Sequence, residues 1–232
     1  MNPEGTILEN LGSGLENHEG PASFAHLALA MDKRLWAADF SNHRIVELDL
    51  ERKAFRTLGR DGSAREKLTS PYGILARPDG SLLVTDANHC IARITSDGEV
   101  RPFFSKIGRN RAEMLEPVSF CNASAGGFRV VDRGNHRILR LNEEGTVVEE
   151  MWKCGFGEGE LFMPEAAAEF EDGAIAIAQN KYLRSIKLFS SSGTEKGMLL
   201  LNYFAPGMLV FQERLYVADM SFGSIHVYER QN

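Results

Sequence analysis

The sequence predicts an all-β fold assembled from repeated antiparallel sheets, on three observations. A pattern of two apolar runs joined by a polar turn recurs along the chain, its clearest copies stand 47 and 46 residues apart, and no uninterrupted segment keeps a helical period. The pattern is plainest from Val130 to Leu141, VVDRGNHRILRL, and it returns as WAADFSNHRIVEL from Trp36, as LVTDANHCIARI from Leu83 and, eroded, as YVADMSFGSIHVY from Tyr216. A weaker copy, IAIAQNKYLRSIKLF from Ile175 to Phe189, carries Gln179 or Asn180 where the others have Asp39, Asp86, Asp132 and Asp219.

Each copy reads as four short strands. A proline (Pro21, Pro71, Pro117, Pro164 or Pro206) precedes a short apolar strand, and a turn such as Arg77-Pro78-Asp79-Gly80 follows. Next come an aliphatic run ending in the aspartate, the Asn-His turn, a third strand opened by Ile45, Ile91, Ile138, Ile186 or Ile225, and a fourth run such as AFRTL or TVVEEMW. Four strands in roughly 45 residues is the length of a β-propeller blade. Leu82-Leu83-Val84 and Ile175-Ala176-Ile177-Ala178 are apolar on successive residues, which requires burial on both faces, and blades stacked around an axis provide it.

The expectation is therefore one propeller domain over residues 1–232 with five four-stranded blades, six being the alternative count. The last copy stops after its third strand, while Thr6 to Leu11 near the N-terminus reads as a spare strand. Strand 6–11 is expected to join the last blade and close the ring, since an open sheet edge invites aggregation.

Composition narrows the functional classes. A net charge of -6 and a pI near 5.6 disfavour nucleic acid and anionic membrane as partners. Cys90, Cys121 and Cys154 are odd in number and lack paired close spacing, so they read as buried reduced thiols instead of disulfides or a zinc motif. No leader pattern and no apolar run of 18 residues is present, and a cytoplasmic protein is expected.

The segments DRGNHRILRL, DFSNHRIVEL and DANHCIARI, with their Asp-Gly turns, resemble NHL repeats. That resemblance covers nearly the whole chain and implies a propeller, commonly six-bladed, that serves as an interaction module in many members, binds RNA in some, and has lyase or sensor roles in a few. Residues 19–50, from Glu19-Gly20-Pro21 through LWAADFSNHRIVEL, are also similar to the opening of the gluconolactonase and senescence-marker family of metal-dependent lactonases. This second resemblance implies that Glu19 is a metal ligand. The Pro-Asn-Gly of that family is absent from the middle blades, where Tyr72 and Val118 follow the prolines.

Candidate site residues follow from position in the repeat. The aspartates close a strand before a tight turn and suit hydrogen bonding to backbone amides a few residues on, and His43, His89 and His136 recur with the scaffold, so both sets read as structural. His18, His26 and Glu19 do not repeat and form a local cluster of metal-ligand type. Glu165, at the start of an innermost strand, is a second carboxylate that could face the channel. His18, Glu19 and Glu165 are candidate ligands for a divalent metal (Ca or Zn) in the axial channel, and Glu19 and Glu165 are candidate acid and base.

Because each strand reverses the last, the linkers and the Asn-His turns share one face, and the remaining turns share the other. Arg44, Arg109, Arg111, Arg133 and Arg137, with Tyr72, are expected to form a binding face for a protein partner or a small anionic ligand. Asp79, Glu99, Glu143 and Glu171 belong to an acidic opposite face. The function expected is an NHL-type scaffold, with a metal-dependent hydrolase or lactonase as the alternative.

Overall fold

The computed structural model describes residues 24–30, 34–49, 54–59, 67–87 and 90–229. It is a five-bladed β-propeller. Blade 1 comprises β1 (Phe24–Leu29), β2 (Leu35–Asp39), β3 (Arg44–Asp49) and β4 (Ala54–Leu58), and blade 2 comprises β5 (Ile74–Ala76), β6 (Leu82–Asp86), β7 (Cys90–Ile94) and β8 (Val100–Phe104). Blade 3 comprises β9 (Pro117–Asn122), β10 (Phe128–Asp132), β11 (Arg137–Leu141) and β12 (Val147–Met151). A short parallel ladder, β13 (Lys153–Cys154) with β14 (Glu160–Leu161), lies in the linker to blade 4. Blade 4 comprises β15 (Pro164–Glu169), β16 (Ile175–Gln179), β17 (Ser185–Phe189) and β18 (Glu195–Leu200), and blade 5 comprises β19 (Gly207–Phe211), β20 (Arg214–Asp219) and β21 (Ser224–Glu229).

Within every blade the strands pair antiparallel with their sequence neighbours, four strands in blades 1 to 4 and three, among the described residues, in blade 5. The first strands β1, β5, β9, β15 and β19 adjoin one another in succession around the axis. No α-helix is found among the described residues, only one 3-10 turn, Arg133–Asn135. The closing strand expected over residues 6–11, together with His18, Glu19 and His89, lies outside the described residues.

The runs apolar on successive residues are buried on both faces, as all five residues of β6 and of β16 are. Among the described residues the core divides into four layers, each centred on two adjacent blades, and a small patch of Ala37 and Val46 within blade 1. Trp36 and Ile45 of blade 1 meet Val84 and Ile94 of blade 2, Leu83 and Ile91 meet Phe128 and Leu139, Val131 and Ile138 meet Ile177 and Phe189, and Ala178 and Ile186 meet Leu215 and Val217. The isoleucine opening each third strand is the common element. Ile45, Ile91 and Ile138 are fully buried and Ile186 nearly so, whereas Ile225 is 63% exposed, because blade 5 has no described sheet against its forward face.

The residue before each third strand adopts a left-handed conformation, with φ of 56° at His43, 57° at His136, 43° at Arg184 and 68° at Gly223. In blade 2, whose turn is one residue shorter, Cys90 takes this conformation at φ 57°. Only at Gly223 is the conformation free of a Cβ penalty. Cys90 is buried as expected, but Cys121 is half-buried and Cys154 exposed in the linker ladder, so the expectation of three buried thiols holds only in part.

Burial predicts unequal responses along the repeat. Ile138→Ala should lose about 2–4 kcal/mol by transfer and cavity terms, while Ile225→Ala should lose under about 1 kcal/mol; denaturant midpoints at constant m-value check the pair.

Candidate functional site

The face that gathers the linkers is built by the ends of the second strands. Asp132 Oδ1 accepts a hydrogen bond from Leu115 N at 2.7 Å, and its Oδ2 accepts from Asn135 Nδ2 and Arg137 Nε, each at 2.8 Å. Asp39 repeats this with Asn42 Nδ2 at 2.9 Å and Arg44 Nε at 2.8 Å. Asp86 accepts from Thr69 N and Ser70 N, and Gln179, which takes the aspartate's place in blade 4, accepts from Phe162 N. In blades 2 to 4 the side chain that closes the second strand holds the linker entering its own blade, upstream of it in the chain, whereas Asp219 accepts from Ser221 N and Phe222 N of its own turn, the role read from the sequence.

His136 is structural as well. Its Nδ1 accepts from Met163 N at 3.0 Å and its ring stacks on Phe162 with centroids 5.0 Å apart. Arg44 and Arg137 are corrected: both are buried. Arg137 Nη1 binds Glu150, and its Nη2 donates to the carbonyls of Asn110 and Glu113. These contacts take four of the five N–H donors of the Arg137 guanidinium and tie it to its own strand and linker.

Three other sequence candidates converge at the axial end of this face. Glu165 follows the proline of blade 4, Tyr72 follows that of blade 2, and Arg133 opens the turn after β10. Arg133 Nη1 lies 3.1 Å from Glu165 Oε2, and Arg133 Nε, 3.5 Å from Glu116 Oε2, is buried without a hydrogen-bond acceptor. Burial pushes the Glu165 carboxyl above its ordinary range, against the pull of Arg133. Burial likewise raises the Tyr72 phenol, the Glu165 charge adding to it and Arg133 opposing. Phe40 meets the Tyr72 ring edge-on at 6.2 Å. A carboxyl whose proton affinity is raised by burial, set beside a guanidinium and a phenol, can exchange a proton or hold a polar group.

His26 sits on β1, half-buried, with no hydrogen-bond partner at Nδ1, and burial lowers its pKa, which keeps the ring neutral. Among the described residues no three His, Cys, Asp or Glu side chains converge on a point that could hold a metal. Glu165 is instead occupied by a guanidinium, whose positive charge opposes a cation at the same oxygen. Of the three candidate metal ligands, Glu165 carries this guanidinium, and His18 and Glu19 lie outside the described residues.

Arg109 and Arg111 stay exposed in the linker between blades 2 and 3, with no ion pair among the described residues. The opposite face is less acidic than expected, since Arg93, Arg101 and Arg77 neutralise Asp79, Glu99 and Glu143. The sequence reading missed Phe40, Glu116 and the Trp152-Lys153 step at the linker ladder. Glu116 carried one usable signal, its place before Pro117 where Tyr72 and Glu165 follow theirs.

No protein-family model matches the chain. Teneurin-m of Drosophila melanogaster is 31% identical over 151 residues, which are 63% of this chain and 5% of that protein, so the chain spans about a twentieth of the curated relative it matches. Among solved structures, virginiamycin B lyase from Staphylococcus aureus with quinupristin superposes with a TM-score of 0.67 at 19% identity, covering 99% of this chain and 75% of that one. A nidogen/laminin complex gives 0.70 at 17%, covering 90% and 76%, and a gluconolactonase from Xanthomonas campestris gives 0.66 at 16%, covering 86% and 70%. These likenesses establish the β-propeller class, whose solved members include both lyase or lactonase enzymes and a protein-binding propeller.

Burial, reinforced by the nearby Arg109, lowers the His136 imidazole below its ordinary 6.5, in keeping with a ring nitrogen that accepts a hydrogen bond. A depressed folded pKa contributes stability that is full above the unfolded value and lost as pH falls through the folded one. The difference in Tm between the wild type and His136→Gln should therefore narrow below about pH 6.5, read by thermal scans between neutral and mildly acidic pH.

Proposed function

We propose that the chain is a single-domain NHL-type propeller scaffold of the cytoplasm that binds another protein, or a small anionic ligand, through its linker and Asn-His face. One observation carries this reading: large apolar side chains project from the turns and linkers of that face. Phe40, Ile107, Phe156, Tyr182, Met220 and Phe222 are between 43% and 79% exposed. Six such side chains on the same face as Arg109 and Arg111 resemble the aromatic and basic make-up of protein-binding surfaces more than a solvated rim. The propeller neighbour solved as a nidogen/laminin complex supports an interaction role by analogy of fold alone.

A photoreactive residue placed at position 109 or 182 should capture the same partner, while one at Glu143 or Glu171 on the opposite face should capture none. Arg109→Glu with Arg111→Glu should abolish that capture, and reversing acidic-face residues should leave it intact. Equal yields from the two faces would overturn the reading.

A second reading rests on the axial cluster. Glu165, raised by burial and set between Arg133 and Tyr72, has the environment of an acid–base group in a hydrolase or lyase. Lactone hydrolysis by the purified protein, assayed beside its metal content, separates the two. The scaffold reading expects no turnover; a rate that disappears in Glu165→Gln while the fold persists would make the axial mouth an active site.

A further inference from the structure

At the rim of the same face, where the outer strand of blade 3 meets two consecutive linkers, lies a cleft of about 510 Å³ lined by Arg111, Glu150, Trp152, Lys153 and Gly159. Its volume is within the range of ligand-holding clefts. Its walls are fixed from beneath by Arg137, which binds Glu150 through Nη1 and the 110–113 linker through Nη2. Glu150 is thereby committed to Arg137. Arg111 and Lys153 are both exposed and, among the described residues, take part in no ion pair. The cleft therefore presents two available cations against one carboxylate already neutralised.

Trp152 supplies the apolar wall. It is half-buried, its ring packs on the buried Phe189 with centroids 4.5 Å apart, and its Nε1 donates to Gly193 O at 3.2 Å. The backbone at Trp152 is left-handed, with φ 69°, a conformation rare and strained for a bulky residue. Trp152 stands between the fourth strand of blade 3 and the linker ladder, and the Phe189 and Gly193 contacts hold its indole there. On the facing side Gly159 N is anchored to Glu195 Oε2 at 2.7 Å, and the space that a Cβ at Gly159 would occupy is open.

We infer that this cleft is the docking point for an extended acidic segment of a partner protein, with a carboxylate between Arg111 and Lys153 and a neighbouring apolar side chain against Trp152. The charge balance selects the partner's sign, and the indole selects a peptide over a bare anion. This inference rests on the scaffold reading of the same face and narrows it to one site.

The probe is a fluorescein-labelled decapeptide of alternating Glu and Leu, with an alternating Lys and Leu peptide and inorganic phosphate as comparison ligands. Anisotropy should show saturable binding of the acidic peptide alone, weakened at least about tenfold by Arg111→Glu with Lys153→Glu and unchanged by Lys196→Glu. The peptide should also shift the emission of Trp152, and Trp152→Phe should remove that change while the buried Trp36 continues to report the fold. No binding by the wild type, binding indifferent to the double reversal, equal binding of the basic peptide, or displacement by phosphate at equal concentration would each overturn the inference. Capture at positions 109 and 182 without acidic-peptide binding would remove the cleft and keep the scaffold. Peptide binding without capture would do the reverse.

Discussion

A carboxylate shut away from water at the end of a second strand is the constraint on which the remaining structure depends. Asp39, Asp86, Asp132 and Asp219 are almost wholly buried, and each accepts at least two hydrogen bonds, from turn amides, linker amides, or the Asn and Arg of its own turn. A buried charge is tolerable only with such donors, and removing one partner of such a pair is costly, about 3–5 kcal/mol. Linker and strand end are consequently held together in blades 2 to 4, and turn and strand end in blades 1, 3 and 5. The left-handed residue before the third strand follows, since the turn must fold back tightly enough for Asn42 or Asn135 to reach the carboxylate.

This arrangement also explains where functional chemistry can reside. Groups used by the clamp, among them Arg44, Arg137 and His136, are spoken for. What remains at the surface is whatever the clamp does not need, namely linker residues such as Arg109 and Arg111 and the turn residues Phe40, Tyr182 and Phe222. The axial group of Tyr72, Arg133 and Glu165 arises the same way, from positions adjacent to the prolines and aspartates that the repeat fixes.

Much of the fold was legible because the repeat is written in residues with strong backbone preferences. The prolines, the strand-closing aspartates and the third-strand isoleucines marked blade boundaries, and successive apolar residues in β6 and β16 announced two buried faces. The convergence of Tyr72, Arg133 and Glu165 was partly legible, since position after proline implied the axial end, though not that a guanidinium would occupy the carboxylate. The roles of Arg44 and Arg137 were misread because an arginine one residue before a buried isoleucine looks exposed by type. Only the hydrogen bonds to Asp39 and Asp132 reveal that it is buried. The cleft at Trp152 left no trace in the sequence, because β13 and β14 are two residues each and their pairing depends on the linker folding back on itself.

The division of the apolar interior into four two-blade layers has a consequence of its own. Among the described residues the buried side chains of each layer come from no more than two neighbouring blades, with Tyr72 at the entry to blade 2 packing on the layer of blades 3 and 4, so cohesion is transmitted largely from sheet to sheet, as in other repeat architectures. A lesion in one layer weakens two neighbours and leaves distant ones intact. Such modularity lets the turns and linkers of one blade differ from their counterparts, as those of blade 5 do, without the layers between other blades having to change in concert.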